Sequence, residues 1–266
     1  MLERERERIE QALETLMRSD DAAPLLNESM AYGLLDGGKR IRPCLVLLVS
    51  DMLGGSEEKA MPFACALEMV HCYSLIHDDL PAMDNDAMRR GRPSNHIRFG
   101  EDNAILAGDG LLTKAGLLLM QQNGFDAAKQ AIFEGAYAMV SGQSDDLNLK
   151  ERSADVLERI HRRKTGALFR AACRAGAFVS DPSKAEEMGT FGDTLGLLFQ
   201  MTDDLLDAKK DRNEGKLTYV TFYGEDDTKA FIEDAAQHAL AMIHPYSGEA
   251  AEKLRELIMK LRSRTE

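Results

Sequence analysis

PFACALEMVHCYSLIHDD, residues 62–79, is the stretch whose reading decides the fold. It is apolar on nearly every side from 62 to 77 and ends abruptly in two aspartates, so it reads as a helix buried in the middle of a bundle. The same period recurs outward along the chain. Ile9, Leu13, Leu16 and Met17 form one face of a charged first helix, and Leu157, Ile160, Ala167, Leu168 and Ala171 trace another. Further apolar helices are expected at 43–53, 103–122, 126–148, 153–179 and 185–206, with Pro24, Pro43, Pro62, Pro93 and Pro182 between them or at their starts. The only β-like run is Leu217 to Tyr223, too short to make a sheet. The expected class is therefore all-α, a helical bundle. No composition break divides the chain, so one domain over 1–266 is the simpler organisation.

Composition narrows the function. With 33 basic against 45 acidic side chains the net charge is −12, which argues against a nucleic-acid binder needing a basic face. The N-terminal stretch alternates charge and lacks the apolar core of a secretory signal, and the apolar run Cys44–Val49 is far short of the roughly 20 residues that span a bilayer. A cytoplasmic protein without a membrane anchor is expected. Cys44, Cys65, Cys72 and Cys173 sit among apolar residues without a CxxC pair, as reduced core residues would.

The acids are not evenly spread. Asp78, Asp79, Asp84 and Asp86 follow one apolar helix, and Asp203, Asp204 and Asp207 follow the equally apolar GLLFQMT. Asp203 and Asp207, four apart, share a helix face, while Pro81 should break the helix and let the loop swing Asp84 back toward Asp78. Crowded carboxylates stay ionised when a cation lies between them, and oxygen-only ligands suit Mg²⁺. Each cluster alone also fits a solvated helix end. Basic groups shift that balance. Lys39, Arg40 and Arg42 lie in GGKRIRP, Arg89, Arg90 and Arg92 share a loop with the first acids, and His161, Arg162, Arg163 and Lys164 form a third basic cluster. Arginine forks and carboxylate-held cations together are what a magnesium diphosphate requires.

GGKRIRP, HCYSLIHDDLPAMDNDAMRRGRPSNH, AILAGDGLL, SGQSDDL, ERIHRRKTGAL and FQMTDDLLD, in this order over roughly residues 30 to 210, resemble the trans-isoprenyl diphosphate synthases, in particular the bacterial farnesyl diphosphate synthases. The resemblance implies a homodimer of all-helical subunits, each with a deep cavity and an aspartate-rich motif on each of two facing helices. It implies condensation of isopentenyl diphosphate with dimethylallyl and then geranyl diphosphate, giving farnesyl diphosphate. By the same resemblance Asp78, Asp84 and Asp203 hold three Mg²⁺ ions, with Asp79, Asp204 and Asp207 in support. Arg89, Lys164 and Lys216 contact the allylic diphosphate, and Lys39, Arg42, His71 and Arg90 hold isopentenyl diphosphate. Thr165 and Gln200 turn oxygens toward the cation, Gln143 pairs with Asp146, and the departing diphosphate takes the final proton. His77 is left a structural histidine.

Tyr73, five residues before Asp78 and about 1.4 turns up the helix, matches a position that caps the growing chain, with small Ser74 beside it. That pattern points to a fifteen-carbon product, with geranyl or geranylgeranyl diphosphate as alternatives. One departure concerns the segment after Asp207. Only AKKDRNE precedes GKLTYV, a shorter loop with one lysine fewer than the family pattern, and Val220 stands where proline is usual. Lys209 or Lys210 is the candidate replacement, and a weakly active or regulatory subunit is the corresponding alternative.

Overall fold

The computed structural model of the protein describes residues 2–18 and 21–263, apart from the side chains of Lys210, Asp211 and Glu214. The chain folds as two compact units, one of Leu2–Leu47 with Glu57–Phe125, the other of Leu48–Ser56 with the residues from Asp126 onward. In chain order the helices are α1 (Glu3–Arg18), α2 (Pro24–Leu34), α3 (Ile41–Met52) and α4 (Glu57–Asp78), then the strands β1 (Met88–Arg89) and β2 (Arg92–Pro93). They continue as α5 (Asn95–Phe99), α6 (Glu101–Met120), α7 (Asp126–Leu147), α8 (Ala154–His161), a π-helical turn (Arg162–Gly166) and α9 (Ala167–Ser180). After a 3₁₀ turn come α10 (Ala185–Leu206), α11 (Ala208–Glu214), α12 (Tyr219–Tyr223), α13 (Glu225–Ile243) and α14 (Glu249–Arg262). The all-α class is thus observed.

In the first unit α4 packs on α6, α1 and α2. Every residue from Phe63 to Val70 is buried, as the apolar run predicts, and Ile9, Leu13 and Met17 of α1 join that core while Leu16 lies at its margin. Pro62 does not open α4; it stands inside, five residues after Glu57. It is tolerated there because it lines an open groove beside Glu58, so the carbonyl left without a helical donor is near solvent. Among the described residues α6 alone is long and apolar enough to cross a membrane by length and composition. Its Ala104, Ala107, Leu111, Ala115 and Leu119 are buried, which is how a core helix is built.

In the second unit α10 packs on α9 and α13, and α7 on α9. The expected helix over 153–179 is interrupted by the π turn. Gly142 of α7 and Gly196 of α10 press on that turn so closely that a Cβ would lie 2.4 Å from the Lys164 nitrogen in one case and 2.7 Å from the Gly166 Cα in the other. The run Leu217 to Tyr223 is not β-structure. Thr218 caps α12, its hydroxyl accepting from Thr221 N while Thr221 Oγ1 accepts from Thr218 N, and these bonds turn the short apolar run into a helix. The only ladder among the described residues is the β1–β2 pair. All four cysteines are free and buried, and burial raises the thiol pKa of Cys65 and Cys72 to about 12.

Candidate active site

The first unit carries one cluster, at the C-terminal end of α4. The helix stops at Asp78, and the loop through Pro81 folds back until the Asp84 amide donates to the Asp78 carbonyl at 2.9 Å. That return is what the sequence required of Pro81. Asn85 takes a left-handed conformation at φ +54 to complete it. Asp84 and Asp86 stay exposed, whereas Asp79 points inward and is buried. Its carboxylate accepts from Arg89 Nε at 2.9 and 2.7 Å and from Nη2 at 2.6 Å, so the arginine is held as a fork.

Arg90, also left-handed at φ +51, donates to the Gly37 carbonyl at 2.6 Å. Its guanidinium lies over Gly38, where a Cβ would be 2.8 Å from Cζ. Arg42 Nη1 approaches His71 Nε2 at 3.3 Å. Burial, then the charges of Arg42, Arg90, Arg40 and Arg89, hold the His71 pKa well below the ordinary value. His71 is therefore neutral, with Nε2 accepting from arginine. Lys39 is exposed beside these groups in sequence. Arg40, grouped with Lys39 and Arg42 by composition, behaves otherwise. Its side chain is fully buried and paired with Glu68 at 2.5 Å, so it belongs to the scaffold.

In the second unit the π turn presents Lys164 and Thr165 next to α7 and α10. Lys164 Nζ donates to Asp146 Oδ2 at 2.6 Å, and Arg159 and Arg163 both reach Asp145, at 3.3 and 3.0 Å. Thr165 Oγ1 donates to Gln200 Oε1 at 2.6 Å, and Gln200 Nε2 donates to Asp204 Oδ1 at 2.7 Å. The other Asp204 oxygen accepts from Tyr219 N at 2.8 Å. Asp204 is thus buried and spent on the protein, while Asp203 is half-buried and Asp207 exposed. His161 is not part of a basic cluster: it is buried against the Tyr219 ring, 5.3 Å between centroids, and burial lowers its pKa to about 4. Residues 208–214 after the motif are helical, and the exposed Lys216 follows, its carbonyl accepting from Thr221 Oγ1 at 2.8 Å. Lys209 is exposed, and the Lys210 side chain lies outside the described residues.

Residues 23–258 match the Polyprenyl synthetase family. The chain belongs to that family. It is 42% identical to a farnesyl diphosphate synthase of Micrococcus luteus over 79% of each chain. It is 41% identical to the heterodimeric geranylgeranyl pyrophosphate synthase large subunit 1, chloroplastic, of Arabidopsis thaliana, over 83% of this chain and 68% of the relative. A crystal structure of a geranyltranstransferase from Thermotoga maritima superposes with a TM-score of 0.87 at 33% identity, covering 97% of this chain and 96% of that one.

Against the family pattern, the structure groups Asp78 with Asp84, Arg42 with His71, and Lys164 and Thr165 with Asp146 and Gln200. Two partners were not legible as such. Glu68 is one, although a carboxylate inside an apolar helix signals a buried counter-charge. Asp145 is the other, neutralising two arginines that sequence alone leaves on the surface. Among the described residues no three His, Cys, Asp or Glu side chains converge as a cage. The donor set nevertheless fits Mg²⁺, which takes one or two carboxylates and completes its shell with water and substrate phosphate oxygens.

Proposed function

We propose that the chain is a prenyltransferase joining isopentenyl diphosphate to dimethylallyl and then geranyl diphosphate, with (2E,6E)-farnesyl diphosphate as product. The observation that supports this most directly is the return of Asp84 onto Asp78 beside the Arg42–His71 contact and Arg90, which sets cation-holding and anion-holding groups in one patch of the first unit. Asp78, Asp84 and Asp203 would hold Mg²⁺, which when bound neutralises the diphosphate that leaves.

The chain's own groups do the rest. Arg89, Lys164 and Lys216 would contact the allylic diphosphate, so the electron pair of the breaking C–O bond flows onto an anion already surrounded by positive charge. Lys39, Arg42 and Arg90 would hold isopentenyl diphosphate, with neutral His71 accepting a hydrogen bond inside an otherwise cationic pocket. Thr165 commits its proton to Gln200, which leaves its oxygen lone pairs as the negative end offered to the allylic cation. The isopentenyl double bond attacks that cation, and the proton lost from the new chain goes to the released diphosphate. The whole family match spans residues of both units, which supports one functional domain.

Incubation of the purified chain with Mg²⁺, isopentenyl diphosphate and dimethylallyl diphosphate, followed by sizing of the products, tests this reading; absence of any prenyl product sinks it. Relatives named for farnesyl and for geranylgeranyl products lie at similar identity, which favours geranylgeranyl diphosphate as the second reading of product length. Tyr73 is buried at 6% exposure, and we expect Tyr73→Ala to shift the main product from fifteen to twenty carbons. An unchanged product removes Tyr73 from the account.

A homodimer is proposed as well. α7 exposes Phe133, Tyr137, Val140 and Leu147, steps of a single helical face, and α6 exposes Ile105, Leu106, Leu117 and Met120. Apolar stripes of this extent are covered in stable assemblies. Tyr137, 77% exposed, is the test position: Tyr137→Glu is expected to halve the mass read by light scattering, and a monomeric parent chain overturns the proposal.

A further inference from the structure

We propose that His77 and Gly108 set product length by fixing the orientation of Tyr73, so that the floor of the chain-growth cavity is a three-residue device and His77 is a positioning residue. The inference rests on the reading of Tyr73 given above. His77 lies one turn after Tyr73 on α4, and the two rings meet edge to face, 83° between planes and 5.8 Å between centroids. That contact restrains Tyr73 only if the imidazole itself cannot move. Two groups on α6 hold it. Its Nε2 is 3.0 Å from the Ile105 carbonyl, which can only accept, so Nε2 carries a proton and donates it there. One helical turn along, Gly108 leaves a notch filled by the same ring. A Cβ at Gly108 would stand 2.1 Å from Nε2, 2.4 Å from Cδ2 and 2.8 Å from Cε1.

The notch and the hydrogen bond leave the imidazole one orientation. Any side chain larger than hydrogen at 108 must expel it. Tyr73 is thereby denied the space that a displaced His77 would open, and the phenol ring stays where it stops elongation. Because His77 precedes Asp78, rate alone would not separate a role in the floor from a disturbance of the aspartate. The ratio of products does.

The experiment compares the parent chain with Tyr73→Ala, His77→Ala, His77→Phe and Gly108→Ala, each incubated with Mg²⁺, isopentenyl diphosphate and dimethylallyl diphosphate before the products are sized. His77→Ala and Gly108→Ala are expected to raise the ratio of twenty-carbon to fifteen-carbon product about tenfold, as loss of an aromatic edge contact allows. His77→Phe keeps a ring in the Gly108 notch but loses the bond to Ile105, and is expected to raise the ratio less than His77→Ala does. If Tyr73→Ala lengthens the product but His77→Ala and Gly108→Ala do not, the inference is overturned and the reading of Tyr73 stands. Equal lengthening by His77→Phe and His77→Ala overturns it too, since the ring then does nothing. No change in Tyr73→Ala overturns both together. Should His77→Ala fail to fold, Gly108→Ala, which retains the histidine and displaces it, decides the matter.

Discussion

Asp203→Ala is expected to lower kcat about 10²–10³-fold, the cost typical of removing one preorganised group that stabilises charge formed in the transition state. The fold should survive the change. Asp203 is half-buried in the last turn of α10, and its neighbour Asp204 ties that turn to the rest of its unit through Gln200 and the Tyr219 amide. Asp203→Asn should behave similarly, because it keeps the shape and loses the charge that a divalent cation needs. The measurement is steady-state kinetics at saturating isopentenyl and geranyl diphosphates, repeated at rising Mg²⁺, beside a denaturant unfolding curve. Parent-like turnover with a parent-like curve would remove Asp203 from the metal assignment. A collapse of stability would instead place it among the scaffold groups with Asp204.

The difference between these adjacent aspartates marks where the sequence stops being readable. Period alone located α10 at 185–206 and the buried core of α4, because long apolar helices repeat their signal many times. A seven-residue run carries no such redundancy. Leu217 to Tyr223 looks like a strand by composition, and only the Thr218–Thr221 capping pair makes it helical. The π turn is hidden for a different reason. It depends on how closely Gly142 and Gly196 approach from other helices, which no local pattern records. Charged residues were misread in the same way: Arg40 and His161 sit among other cations in sequence, but burial by Glu68 in one case and beside Tyr219 in the other was decided by tertiary partners. The residues proposed to meet substrate stand out in the sequence for a different reason, since a function that needs separated clusters of acid and base leaves both in the chain.

Glu68→Ala should destabilise the protein by about 3–5 kcal/mol, the range seen when one member of a buried ion pair is removed and the other stays. Arg40 has no exposed side-chain surface, and Glu68 is 2% exposed. Beyond its 2.5 Å contact with Glu68, the guanidinium donates to the Leu34 carbonyl at 2.6 Å and lies 3.9 Å from Glu10. Neither can replace a carboxylate in direct contact, so the variant must hydrate the arginine, open the site or unfold. The backbone at Arg40 is also left-handed, at φ +50, a conformation a non-glycine residue keeps only while its side chain is firmly anchored. Release of that anchor reaches the flanking Lys39 and Arg42, so KM for isopentenyl diphosphate should rise in whatever fraction remains folded. Glu68→Gln preserves an acceptor and should lose less. The double change Glu68→Met with Arg40→Met removes both charges and should recover much of the stability, because the deficit comes from the unpaired ion rather than from the volume lost. Urea midpoints for the four chains decide it, and a Glu68→Ala midpoint equal to the parent's would mean that the pair contributes nothing to holding the GGKRIRP segment on α4.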